Sequence, residues 1–545
     1  MTSAVFMGEP VEPVPLHGDD LEREKDRLAA LVLEDIGTPI DTWAVAAALE
    51  IAGLRDFDAG TRFGAWDLFD LADDVYARCM TRRDGKPPPV GPVRARPRRT
   101  SRLTRFARLY AAGAFFIFPL AIQLAALLVL GYSQWASIHF TARQASIVVF
   151  AVISGFVVTA GFVQALGYLG PLFLEPGEYV RARRLVIRTL LLGLLLTFVV
   201  ADIAWIVNVA ANAYPNKDIG IGLVYYVLVA FVSLANAALY MLRKFLAMVV
   251  STVVGLGVVA LIVEQTSWSI YAAHWTSLGV SVLVALGWVW VTLWHRERKT
   301  RGVPAPTELP RLAYLGYLGA PFFTYGILYF GLLFADRLVA WTTGHNPLPV
   351  WFRPAYEVGL DWALVALVLG IALLEYTVNA FSGHVLRVQQ EVDGARIREH
   401  NRRFVRFYCF QLGVLALLAA AGIALVYEGG VSLRHVSFLH KVGEFFADSA
   451  TRGVFVAGAI GYALIAWGLL NSLFLLSLSR PKLVLRAIFP AVLGSLAVGI
   501  PLSRTYPYWY AAAGLAAGGL VFAAVSGWYV VRTLSRADYF YFAAY

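Results

Sequence analysis

Charge is scarce in this chain, and cysteine is scarcer. Only 15% of its 545 residues are Asp, Glu, Lys or Arg, against roughly 25% in a soluble domain. That deficit excludes a surface that water could cover. Two cysteines, Cys79 and Cys409, are too few and too far apart for a disulfide framework or a zinc site. Met1 to Asp19 is acidic and punctuated by proline, with no basic start leading into an apolar stretch, so no signal peptide is expected. No glycine-rich loop ending in Gly-Lys-Ser/Thr is present, so the chain is not expected to hydrolyse ATP. No long extracellular domain or acidic catalytic pair is expected in an outer loop, which counts against a membrane glycosyltransferase or ligase. No enzyme activity, cofactor or metal is expected.

What is abundant is apolar. The hydrophobic residues make up 59% of the chain, the aromatics 14%, and the mean hydropathy is +0.64. The sequence predicts an all-α polytopic membrane protein with about twelve helices long enough to cross a core of ~30 Å. They run approximately 109–131, 145–170, 187–211, 219–241, 245–264, 274–294, 313–335, 359–381, 405–427, 453–477, 484–502 and 508–531. Basic residues collect in alternate loops: Arg181/Arg183/Arg184/Arg188, Arg243/Lys244, Arg296/Arg298/Lys299/Arg301, Arg387 to Arg406, and Arg480/Lys482/Arg486. By the positive-inside rule those loops and both termini are cytoplasmic. The net charge of +10 then belongs to loops rather than to a nucleic-acid surface.

Four regions follow. Residues 1–85 read as a small cytoplasmic helical module. Asp20 starts a helix that Gly37 ends, Asp41 precedes Trp43 to Leu49, Gly53 closes that piece, and a third helix covers Trp66 to Val75. Docking or regulation is one role for it, passive extension the other. Residues 86–108 form a linker, stiff at Pro87-Pro88-Pro89. Its arginines Arg94, Arg96, Arg98, Arg99, Arg102, Arg105 and Arg108 suit anionic lipid, with an apolar span directly after them. Two six-helix halves occupy 109–297 and 312–535. The halves echo each other: Pro119 and Trp135 with Pro321 and Trp341, and Asn236 before Arg243-Lys244 with Asn471 before Arg480. Even-numbered halves must be parallel repeats, and in transporters of that kind the substrate path lies between them. The loop 384–406 reads as helical and able to dock a partner, and 431–450 as an interfacial helix.

Ionisable groups inside spans cost about 2.5–3.5 kcal/mol at the bilayer centre, so each needs a reason. Asp202, with Asn208 beyond it, and Glu375, with Asn379 one turn on, are candidates for a polar cavity. For Asp202 an interhelical hydrogen bond is an equal alternative. Gln123 and Gln164 add neutral hydrogen-bonding capacity suited to a hydroxyl-rich substrate. Asp336 and Arg337 close the seventh span, and Tyr356, Glu357 and Asp361 open the eighth. Pairing across these ends makes either an outer gate or an ordinary interfacial ion cluster. Pro119 and Pro321 each free a carbonyl and bend their helices. The segment Gly167-Tyr168-Leu169-Gly170-Pro171 lacks the charged signature of the major facilitator family.

The run Tyr325-Gly326-Ile327-Leu328-Tyr329, leading to Asp336-Arg337 and Trp341, then Tyr356-Glu357 and Glu375-Tyr376, resembles the seventh and eighth helices of the PelG family. That family belongs to the multidrug/oligosaccharidyl-lipid/polysaccharide (MOP) flippase superfamily. The resemblance covers 312–400; the N-terminal hundred residues have no counterpart in it, and the family's usual first-helix entry is absent from 101–112. It implies export of a sugar polymer or lipid-linked glycan across a bacterial inner membrane, beside a cytosolic glycosyltransferase and other membrane subunits. It also implies a functional carboxylate at Glu375. Two other readings stay open. A cation-coupled multidrug or metabolite antiporter of the same superfamily would use Asp202 and Glu375 as ion sites. A non-transporting scaffold would recruit partners through 20–80 and 384–406.

Overall fold

A computed structural model describes residues 18–37, 39, 41–54, 56–83, 118–127, 129–299, 308–367, 397–432 and 448–537, with scattered helical residues between 370 and 381. The chain divides into two compact units, Met1–Arg105 with Asn379–Phe410 and Val531–Tyr545, and Phe106–Val378 with Gln411–Val530.

In the first unit, four helices form the N-terminal bundle: α1 (Asp19–Asp35), α2 (Thr42–Ile51), α3 (Asp56–Phe63) and α4 (Leu68–Arg83). Asp41 caps α2 by accepting from Ala44 N at 2.8 Å, as its position before the apolar run suggests. Gly37 and Gly53 take positive φ (74° and 94°) just beyond α1 and α2, where an L side chain would be strained. Asp20 is not the cap of α1; that helix already starts at Asp19, after Gly18, and no side chain caps it. The sequence reading missed α3, because eight residues are too few to show a helical period. Leu28, Val32, Val45, Leu49, Leu71 and Val75 make the core. Arg78 on α4 bridges to Glu22 (2.5 Å) and Asp26 (2.9 Å) on α1, a half-exposed pairing of small energetic weight.

The second unit carries the membrane helices. They are α5 (Phe118–Leu127), α6 (Ala142–Leu174), α7 (Tyr179–Ala211), α8 (Asn216–Met241), α9 (Phe245–Gln265), α10 (Ile270–Lys299), α11 (Leu312–Trp341), α12 (Pro354–Ala366), α13 (Ile397–Ser432), α14 (Ser449–Ser477), α15 (Pro481–Thr505) and α16 (Ala512–Leu534). Helices α13 and α16 each run on into the first unit. Ten of these are long and apolar enough to cross a membrane, and no strand occurs among the described residues. Of the expected spans 109–131 and 359–381, the described residues hold the shorter helices α5 and α12. Helix α7 starts eight residues before the expected 187, because arginine is a good helix former and continues the helix past the apolar core.

Helix α8 packs along α6, α10 packs on α8 and α9, and α7 packs on α6 and α8. In the second half, α11 packs on α15 and α12 on α14. The join between the halves is α11 against α6. There Tyr168 stacks on Phe322 at 3.8 Å between centroids, and Phe162 meets Phe323 edge-on at 5.0 Å. Pro321 lies inside α11 and removes its backbone bond to the Tyr317 carbonyl. Pro119 is the second residue of α5, and the residues it would bend against lie outside the described ones.

A local repeat accompanies this arrangement. The α8–α9 turn puts Arg243 at φ 55°, and the α14–α15 turn puts Ser479 at φ 54°. Lys244 N bonds Leu239 O at 2.9 Å in the first, and Arg480 N bonds Leu475 O at 2.8 Å in the second. Both are left-handed helix stops that satisfy orphan carbonyls. The same device stands at the same place in each half.

Candidate functional site

The residues proposed at the ends of the seventh and eighth spans come together. The helical period puts Asp336 and Arg337 of α11 about 100° apart, so they serve different partners. Asp336 accepts from the Tyr356 hydroxyl at 2.7 Å. Arg337 donates to Glu357 through Nη1, and through Nη2 to Tyr462 Oη at 3.3 Å and Asp361 at 3.5 Å. The Trp341 indole donates to the other Glu357 oxygen at 2.9 Å. Asp336, Arg337, Trp341, Tyr356 and Glu357 are all buried; the Asp361 side chain stays 46% exposed. Glu357 stands in the first turn of α12, behind Pro354, where the positive end of the helix favours a carboxylate. Two carboxylates, those of Glu357 and Asp361, therefore share one guanidinium, and the third, Asp336, is held by Tyr356.

The chain around the cluster is tied down by residues that sequence reasoning missed. Tyr462 lies on α14, 125 positions from Arg337, beyond the reach of any local pattern. Arg353 donates to Thr343 O at 2.7 Å and lies over the Tyr508 ring at 4.9 Å. Arg504 of α15 donates to the hydroxyls of Thr343 (2.6 Å) and Thr342 (2.9 Å). Phe352 N donates to Ser146 Oγ of α6 at 2.7 Å, joining the α11–α12 connection to the first half. The signal for these anchors was faint: hydroxyls and arginines near predicted span ends.

The other candidates are dispersed. Glu375 and Asn379 lie outside the described residues. Asn208 is buried. Its amide closes the α7–α8 turn, donating to Tyr214 O at 2.9 Å and accepting from Tyr214 N at 2.8 Å. Gln123 is likewise bound up in structure, because its amide exchanges two hydrogen bonds with Gln134. Gln134 passes the network on to Ser281 (2.6 Å), which donates to Ser251 O (2.9 Å). Gln134→Ala is expected to orphan the amide nitrogen of the buried Gln123 and lower stability by about 1–3 kcal/mol, read as a drop in thermal midpoint of the detergent-purified chain. Gln164 lies half-buried on α6 at the join with α11, its Cγ beside Gly326. Asp202 is exposed, on the side of α7 away from the buried Thr197, Ala201 and Asn208.

No sequence-family model and no curated protein matches the chain. Solved structures do. The chain is similar to a MATE transporter determined in complex with MaD5, at 13% identity, covering 80% of this chain and 96% of that one, with a TM-score of 0.57. It is similar to a MOP-superfamily transporter from Pyrococcus furiosus described as having a binding pocket of reversed polarity (12% identity, 79% and 96% covered, TM-score 0.52). A multidrug-resistance MATE transporter of the same superfamily in an outward-facing conformation gives 12% identity, 80% and 96% covered and a TM-score of 0.50. At these identities the likeness is one of fold: an all-α polytopic membrane protein with the fold of MATE transporters of the MOP superfamily.

Proposed function

We propose that the chain is a membrane transporter that exports a sugar polymer or lipid-linked glycan, by alternating access or a gated path between its two helical halves. The observation that carries this reading is convergence. Asp336-Arg337, Trp341 and Tyr356-Glu357, separate in the sequence and the basis of the resemblance to the PelG family, meet in one buried cluster. The MOP-type fold of the relatives supports transport in general, and the resemblance supports the glycan. In this reading the cluster stiffens the α11–α12 hairpin, so that the hairpin moves as one body at an outer gate. The α6–α11 join and the Phe352–Ser146 bond are where the halves hold each other.

The test removes the gene from its own cells and measures extracellular polysaccharide and intracellular glycan together. Loss outside with build-up inside, restored by the native gene and not by Glu375→Gln, is the expected result. No change in either pool sinks the reading. One observation favours the cation-coupled antiporter as the second reading: three carboxylates against one guanidinium leave a negative excess that a proton or cation would balance. That reading expects efflux of a small solute to stop when the ion gradient is collapsed, with both glycan pools unchanged.

A further inference from the structure

Helix α7 carries a charge that the proposed path does not use. Its buried residues, among them Leu185, Gly193, Thr197, Ala201 and Asn208, form one stripe against α6, α8 and α10. On the opposite side, at helical spacing, lie Arg184, Arg188, Leu195, Phe198, Asp202 and Ile206, all exposed. Only 17% of the apolar stretch of α7 is buried, against 56% for α6 and for α14. Arg184 and Arg188 suit the headgroup level. Asp202 is fourteen positions beyond Arg188, about 21 Å along the axis, and so inside a core of ~30 Å. A carboxylate turned toward acyl chains is costly, and no side chain of the described residues bonds it.

We infer that this face of α7 docks the transmembrane helix of a second membrane protein, one that presents a lysine or arginine at the depth of Asp202. Lipid tails offer no donor there. A second copy of this chain is disfavoured by charge. Its symmetry axis would run along the membrane normal, so α7 would lie parallel to its own copy. Asp202 would then face Asp202, with Arg184 and Arg188 facing themselves. A basic side chain neutralises the carboxylate and hydrogen-bonds to it, while Leu195, Phe198 and Ile206 supply packing, which drives helix association in lipid. The inference is independent of which substrate is carried.

The test uses the full chain in liposomes, with a donor dye on the exposed Cys409. The probe is an acceptor-labelled, leucine-rich transmembrane peptide with one central lysine, and an all-leucine peptide is its control. Energy transfer is expected with the lysine peptide, weakened roughly 5- to 30-fold by Asp202→Leu. The near-isosteric Asp202→Asn should fall between, which separates loss of charge from loss of fold. Equal transfer from both peptides, or none, overturns the inference, as does an unaffected Asp202→Leu chain. Transfer between two labelled copies that Asp202→Leu abolishes also overturns it, by assigning the face to a second copy.

Discussion

Replacing Arg337 by methionine is expected to destabilise the protein by about 3–5 kcal/mol, because it leaves the buried Glu357 carboxylate without its cation. Arg337 donates to Glu357, Asp361 and Tyr462, so one substitution releases three elements: α11, α12 and α14. The companion Arg337→Met/Glu357→Gln variant should recover much of the loss, since it removes the charge rather than stranding it. Arg337→Lys should not rescue, because a point charge cannot reproduce a planar fork that reaches several acceptors. Thermal unfolding of the detergent-purified full chain measures all three. A single-variant cost under about 1 kcal/mol, in the range of surface pairs, would show that the cluster does not hold the hairpin.

The second large effect is steric. A Cβ on Gly326 would lie 2.7 Å from the Ala160 carbonyl carbon and 2.9 Å from Gln164 Cγ, so α11 touches the backbone of α6 there. Gly326→Val should push the halves apart at their join, costing at least about 1–3 kcal/mol and lowering transport more steeply than stability. Gly331, five residues along the same helix, has nothing within 4 Å of its Cβ position, and Gly331→Val is the control that should be silent. Equal behaviour of the two variants in thermal midpoint and in polysaccharide release would mean that the close approach at Gly326 has no part in holding the halves together.

The Arg337 cluster was legible because its charges sit at the ends of consecutive helices, where a short connection brings them back to one level. Arg337 and Glu357 are only 20 positions apart, and chain geometry alone makes them neighbours. Asp202 could not be assigned to a helix face from sequence for the opposite reason. Helix α7 is apolar nearly all round, so its sequence has no period that distinguishes an inner face from an outer one. Gln123 and Asn208 looked like free polar groups because a sequence shows the donor and not its partner. Gln134 and Tyr214, which engage them, stand in turns whose shape follows from packing.

By itself, the sequence determined that this chain lives in a membrane as a bundle of helices and where most of those helices run. Hydrocarbon leaves the backbone only helices or a closed barrel to satisfy its hydrogen bonds, and continuous apolar runs of about twenty residues select helices. It also located helices α1, α2 and α4 of the N-terminal bundle, with the Asp41 cap and the glycines Gly37 and Gly53, though not α3. Which face of each helix is buried, which carboxylates share a cation, and that Tyr462 joins Arg337 were decided only by tertiary structure. In an apolar solvent, hydrophobicity does not sort one helix face from another, and contacts between distant helices are set by the packing of shapes.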